Sequence, residues 1–227
     1  MTSALAGLAA LVALATMARL KLPLGDRYPL KAAALFAVIM ALSIGRLRQH
    51  HPFARFGGAN QITMLRAMLV VLVAGLVGEP PDPAVASAAV VASLAVTVLD
   101  GVDGWIARQQ RIASPFGARF DMEIDALLIL ALSLLAWRYG KAGRWVIASG
   151  LLRYVFVAAG AILPWLRAAP RPSRRRQTVC VVQIVALTLV MLPAIEPPAS
   201  VILAGGALAA LAGSFLIDTL WLWRHSA

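Results

Sequence analysis

Eight apolar runs fill most of this 227-residue chain, and short polar, basic or Pro- and Gly-bearing stretches separate them. They lie near positions 3–18, 30–44, 61–77, 84–106, 120–137, 145–163, 178–192 and 199–223, the first two being the shortest. A bilayer core of about 30 Å takes about 20 apolar residues in a helix, so the pattern predicts an all-α, multi-pass membrane bundle. Helix breakers mark the joins at Gly78 to Pro83, Pro170 to Pro172 and Glu196 to Pro198. All six tryptophans, Trp105, Trp137, Trp145, Trp165, Trp221 and Trp223, fall near expected helix ends. Indole rings favour the headgroup level there. No stretch is left over for a soluble domain. The chain divides into two N-terminal hydrophobic helices (1–45), a basic juxtamembrane segment (46–59) and a six-helix membrane domain (60–227).

Composition agrees. The chain is 61% hydrophobic with a mean hydropathy of +0.82, well beyond the soluble range of roughly half apolar. Its 21 Lys and Arg against 10 Asp and Glu suit anionic lipid heads or phosphorylated substrates. Most of these cations occupy short loops, where retention on the cytoplasmic side explains them, so nucleic-acid binding is discounted. With the loop after the second run inside, the inside loops carry twelve arginines, five of them Arg167, Arg171, Arg174, Arg175 and Arg176. The outside loops beyond that point carry Arg138, Lys141 and Arg144. The connector holding Arg19, Lys21, Arg27 and Lys31 breaks the pattern if both of the first helices cross, so one of them is expected at the interface. The N-terminal run has no basic residue before Arg19 and reads as a retained helix rather than a cleaved signal. No lipidation motif accompanies it. Cys180, the single cysteine, lies in an apolar run and makes no intramolecular disulfide.

The segment GRLRQHHPFARFGGAN at 45–60 joins Arg and His to Phe53 and Phe56, a composition that fits the headgroup zone or a plain cytoplasmic linker. His50 and His51 read as solvated charge rather than ligands. The informative stretch is Asp100 to Asp125, DGVDGWIARQQRIASPFGARFDMEID. Acids in a chain of this kind are costly unless they pair, bind a cation or face a polar cavity. Asp100, Asp103, Gly104 and Ala107 recur at i, i+3, i+4 and i+7 on one helix face. Gly117, Asp121 and Asp125 recur at i, i+4 and i+8 on the next. Two adjoining helices thus offer two carboxylates each to a shared space, where hard divalent cations, Mg²⁺ or Mn²⁺, relieve their repulsion. The lack of thiolates and of a His cluster argues against zinc. Paired cations of this kind serve phosphoryl chemistry, and Arg108 stands where it can hold a phosphate. The opposing reading is an ion or proton pathway in a cation-coupled carrier. Such a pathway distributes acids through the bilayer, whereas these four gather beside one turn. Asp218 is expected to pair with a neighbouring arginine. Arg153 either snorkels or faces the polar cavity.

Asp100, Asp103, Gly104, Ala107, Arg108, Gly117, Asp121 and Asp125 together resemble the signature of the CDP-alcohol phosphotransferases, with every signature position filled. Upstream, Asn60, Thr63 and Arg66 resemble the pattern that opens that family's first core helix. The six runs from Gln61 to Trp223 match its six-helix core; the first 45 residues or so lie outside the resemblance. The resemblance implies transfer of a substituted phosphate from a CDP-linked donor to an alcohol, with release of CMP. By position it implies that Asp100, Asp103 and Asp121 bind the metals. Asp125 would share the second metal and deprotonate the acceptor hydroxyl. Gly104, Ala107, Arg108, Ser114, Gly117, Asn60, Thr63 and Arg66 would surround the CDP moiety. The expected partners are CDP-diacylglycerol, a small polar alcohol and the bilayer, in a homodimer of the bacterial inner membrane with its site facing the cytoplasm. Glycerol 3-phosphate is the favoured acceptor and inositol phosphate the next, on the strength of the arginine cluster at 167–176, which positive-inside retention explains equally well. Within the family, the reversed use, a CDP-linked small alcohol donating to diacylglycerol, is the alternative.

Overall fold

A computed structural model describes residues 2–47, 58–110, 115–168 and 173–225, with side chains described for 6–41, 62–102, 120–168 and 173–225. The described residues are all-helical, and each of the eight apolar runs forms an α-helix of a membrane bundle: α1 (Thr2–Lys21), α2 (Tyr28–Leu47), α3 (Gly58–Gly75), α4 (Pro83–Gln110), α5 (Pro115–Arg138), α6 (Ile147–Ile162), α7 (Arg174–Val190) and α8 (Ala199–Arg224). Hydropathy placed several helix starts late. The opening turns of α3, α5 and α7 are GANQ, PFGAR and RRRQ, polar enough to be taken for loop although their backbone is helical. Segments 83–102, 144–162 and 199–224 are long and apolar enough to cross a membrane, and 28–41 and 62–75 are shorter apolar helices. The juxtamembrane segment from Arg48 to Gly57, with both its histidines, lies outside the described residues, as does Arg171.

Residues 1–127 form one compact unit and 128–227 another. In the first, α3 packs along α4, and the α1–α2 hairpin packs on α3. The core holds Leu11, Ala15, Tyr28, Phe36, Val70, Val71, Val85 and Val96. Small residues let the hairpin approach closely. A Cβ on Gly7 would lie 2.9 Å from Met64 Sδ and one on Gly75 would lie 3.1 Å from the Tyr28 ring. The Tyr28 hydroxyl donates to the Leu72 carbonyl at 2.9 Å, satisfying one buried polar group with another. Asp82 caps α4, accepting the Ala84 amide at 2.7 Å, with Pro83 in the first helical position.

Glu79, buried between α3 and α4, locks the hairpin to this frame. It accepts the Gly25 amide at 2.7 Å and pairs with Lys31. Arg19 pairs with Asp26. Two of the four cations that made the α1–α2 connector exceptional are therefore neutralised within the protein, which the loop charge count had no means of seeing. Burial works to raise the Glu79 pKa, but the Lys31 hydrogen bond, the Gly25 amide and the Lys31 charge outweigh it and hold the carboxyl below its usual value.

The second unit contains the C-terminal half of α5 with α6, α7 and α8; α8 packs on both α7 and α6. Gly140, at φ 68°, closes α5 and lets the Lys141 amide return to the Ala136 carbonyl at 2.9 Å. That turn aims Lys141 into the unit, where it is 4% exposed. Its ammonium reaches Glu196 at 2.6 Å and the Ile195 carbonyl at 2.9 Å, and its own carbonyl accepts the Ser200 hydroxyl at 2.6 Å. One lysine thus ties the end of α5 to the turn before α8. Arg175 of α7 reaches Asp218 of α8 at 2.5 Å and the Ser214 carbonyl at 2.9 Å, so Asp218 has its expected arginine partner. Trp137, Trp145 and Trp223 are exposed at helix ends, as indole at the headgroup level requires.

Two outcomes follow from this packing. A Cβ on Gly150 of α6 would lie 2.4 Å from the Leu130 Cα of α5, backbone that has no rotamer to yield. Gly150→Ala is expected to cost about 1–3 kcal/mol, read as a lower midpoint in thermal unfolding of the detergent-solubilised protein; an unchanged midpoint would refute this close approach. For Glu79 the folded-state pKa is depressed, so its stabilisation is fully present above the ordinary glutamate value of 4.5 and is lost as pH falls through the lowered one. Glu79→Gln is expected to melt below the wild type at pH 7, and the gap should shrink once pH falls below 4.5. A gap that stays constant with pH would exclude the charge as its source.

Candidate metal and phosphate site

Three helices of the first unit deliver the candidate site. Asp100 sits in the last turn of the apolar part of α4, after which the helix runs on to Gln110. Asp121 and Asp125, one turn apart, lie early in α5 and project from one face. Arg66 lies midway along α3, in the apolar run NQITMLRAMLVV. Carboxylate oxygens of Asp100, Asp121 and Asp125 come within 4.8 Å of one another, and each of the three side chains is half-buried.

Arg66 is fully buried at the centre of this cluster. Its Nη1 lies 2.8 Å from Asp100 Oδ1 and also pairs with Asp121 Oδ1, while its Nη2 donates to Asp125 Oδ1 at 2.8 Å. Its Nε is buried, with no hydrogen-bond partner among the described residues. The planar guanidinium fork suits this task, since it sends parallel donors to several carboxylates at once. Among the described residues one guanidinium faces three carboxylates. Three carboxylates of such spacing, with no thiol or imidazole among them, form a hard oxygen donor set of the kind that holds Mg²⁺ or Mn²⁺. The residues present therefore fit a divalent ion.

Of the residues expected from sequence, the structure brings together Asp100, Asp121, Asp125 and Arg66. Thr63 stands one turn before Arg66 on α3 and is half-buried. Asp103, Gly104, Ala107 and Arg108 continue α4, Gly117 lies in the first turn of α5 and Asn60 in that of α3; their side chains lie outside those described. Ser114 lies outside the described residues altogether. Sequence reasoning placed Arg66 near the nucleotide and missed that it joins the acids. The signal was available, because a lone arginine in an apolar run needs a buried partner, and the only dense group of acids lies in the same segment of sequence as the signature.

An arginine-bridged cluster of carboxylates in a helical membrane bundle is a group that could hold a divalent ion. The family model for CDP-alcohol phosphatidyltransferase matches residues 56–217 of the 227, and the chain belongs to that family. It is a transferase of phosphate-substituted groups that uses CDP-alcohol substrates and membrane lipids, and the family is metal-dependent. No curated protein and no solved structure matches the chain.

Proposed function

We propose that the protein transfers a phosphatidyl group from CDP-diacylglycerol to a small polar alcohol, with glycerol 3-phosphate the favoured acceptor, in phospholipid biosynthesis. The observation that carries this reading is the convergence of Asp100, Asp121 and Asp125 within 4.8 Å inside a chain whose signature residues are all filled. Residues 60–227 would form the catalytic domain, with 1–45 as an accessory hairpin and 46–59 as a basic headgroup-facing segment. Asp100, Asp103 and Asp121 would hold the divalent cations, Mg²⁺ or Mn²⁺, and Asp125 would share the second. When bound, such ions neutralise the diphosphate and stabilise charge on the attacking and leaving oxygens.

The chain's own residues do the rest. Arg108, Ser114, Asn60, Thr63 and Arg66 orient the nucleotide diphosphate, while the absence of bulky side chains at Gly104, Ala107 and Gly117 leaves room for it to approach backbone. Asp125 takes the proton of the acceptor hydroxyl. That oxygen then bonds to the phosphorus bearing the diacylglycerol, the bridging P–O bond of the diphosphate breaks, and CMP departs with the bridging oxygen. Positioning and charge compensation suffice for this step without a covalent nucleophile. The excess of arginine in alternate loops supports a site facing the cytoplasm in a bacterial inner membrane. Small-residue stretches such as AGGALAALAGS at 204–214 support a homodimer.

Purified protein supplied with Mg²⁺ and CDP-diacylglycerol is expected to release CMP when an acceptor is added, most rapidly with glycerol 3-phosphate among a panel of polar alcohols. Release only from a CDP-linked small alcohol with diacylglycerol would reverse the direction of transfer. No CMP with any acceptor, beside cation flux in liposomes, would replace the enzyme reading with a carrier. Asp125→Asn is expected to lower turnover by at least about a hundredfold, the scale of a lost general base, while CDP-lipid binding persists. Turnover near that of the wild type would remove Asp125 from the role of base.

A further inference from the structure

Arg66 and a divalent ion compete for the same oxygens. Nη1 sits against Oδ1 of both Asp100 and Asp121, and Nη2 against Oδ1 of Asp125, so a cation bridging those oxygens would meet the guanidinium within contact distance and with like charge. Arg66 has strong reasons to stay. It is 0% exposed, and a buried guanidinium deprived of its acids is an uncompensated charge. The acids have equal reason to keep it, since three carboxylates within 4.8 Å repel one another.

We propose that Arg66 is the resident counter-cation of the aspartate cluster, which sets the affinity for divalent ions by occupying their place, and that metal entry transfers its guanidinium from the carboxylates to an anionic phosphate. The buried Nε, which has no hydrogen-bond partner among the described residues, is a donor that the aspartates do not use and that a phosphate oxygen would satisfy. Asp125 gains from the exchange, because its Oδ1 is held by Nη2 until the guanidinium leaves. Metal and diphosphate are thereby coupled through one side chain: whichever arrives first lowers the cost of admitting the other. Arg66 is on this account a positioning residue that exchanges partners. The inference rests on the reading of Asp100, Asp121 and Asp125 as the metal site.

The experiment reads metal binding rather than turnover. Full-length protein in detergent, without nucleotide, is titrated with Mn²⁺ and free ion is followed by electron paramagnetic resonance, for the wild type, Arg66→Gln and Asp121→Asn. A unit charge within about 4–6 Å shifts a charge-dependent equilibrium by roughly 1–3 log units, so Arg66→Gln is expected to bind Mn²⁺ at least about tenfold more tightly than the wild type. In chelator it should unfold at a lower temperature than the wild type, and Mn²⁺ should restore it. Equal or weaker Mn²⁺ binding by Arg66→Gln overturns the inference and leaves the metal site standing. If the wild type shows no Mn²⁺ binding that Asp121→Asn removes, the metal reading and the inference fall together. Should Arg66→Gln fail to fold, Arg66→Met, which removes the same charge from the buried site without leaving a polar head there, is read by the same criterion: tighter binding supports the exchange and equal or weaker binding overturns it.

Discussion

The ion pairs between Arg66 and the aspartates constrain everything around them. A guanidinium in the middle of an apolar helix is costly unless acids meet it, and acids at the edge of an apolar span are costly unless they pair, bind a cation or face a polar cavity. Neither half of the arrangement is stable alone, so α3, α4 and α5 are bound to present Arg66, Asp100, Asp121 and Asp125 to one point. The remaining features of the first unit serve that meeting. Tight packing of α3 along α4 fixes Arg66 relative to Asp100, and the one-turn spacing of Asp121 and Asp125 lets a single fork address both.

The N-terminal hairpin contributes to the same frame from the other end of α3. Arg66 lies midway along that helix, while Glu79 follows its end and holds Gly25 and Lys31. Tyr28 adds a bond to Leu72 and packs its ring where Gly75 leaves space. These contacts are directional and specific, and they address the backbone of α3 as well as its side chains. A membrane anchor needs none of them, because apolar length alone secures a helix in lipid. The family match begins at residue 56, and the hairpin before it restrains the helix that carries Arg66.

Apolar runs made the eight helices legible, and carboxylate spacing pointed to the convergence of Asp100, Asp121 and Asp125, because both depend on local periodicity. What escaped the sequence depends on contacts between distant segments or on helices that outlast their apolar stretch. The helical first turns GANQ, PFGAR and RRRQ were lost to hydropathy for the second reason. Lys141 was lost for the first: counted as a loop charge, it is in fact buried against Ile195 and Glu196, and Gly140 directs it there by a backbone conformation that composition does not record. Lys31 was likewise counted as an outside cation that violated the charge rule, when Glu79, 48 residues away, accounts for it. Asp218 was read correctly because the same reasoning, an acid in a span requires a cation, was applied to it. Applied to Arg66 in reverse, it would have found the acids.

That symmetry bears on how such a site is kept from misfolding before it meets its ligands. Four charged side chains in a largely apolar unit are a hazard during insertion, since separated acids and a separate arginine each favour water or protonation over lipid. An arginine that closes on the acids offsets part of their charge as soon as α3, α4 and α5 assemble. On the proposed exchange the same compensation has to be reversible, because oxygens held by a guanidinium are unavailable to a metal and a carboxylate held at 2.8 Å is a poor acceptor for a second proton donor. A lysine at this position would compensate charge at one point and leave two carboxylates exposed to each other; a metal bound permanently would serve folding but forfeit the coupling to substrate. The bidentate, delocalised head of Arg66 spans all three acids, and its Nε, without a hydrogen-bond partner among the described residues, is the donor left for the phosphate of the proposed exchange.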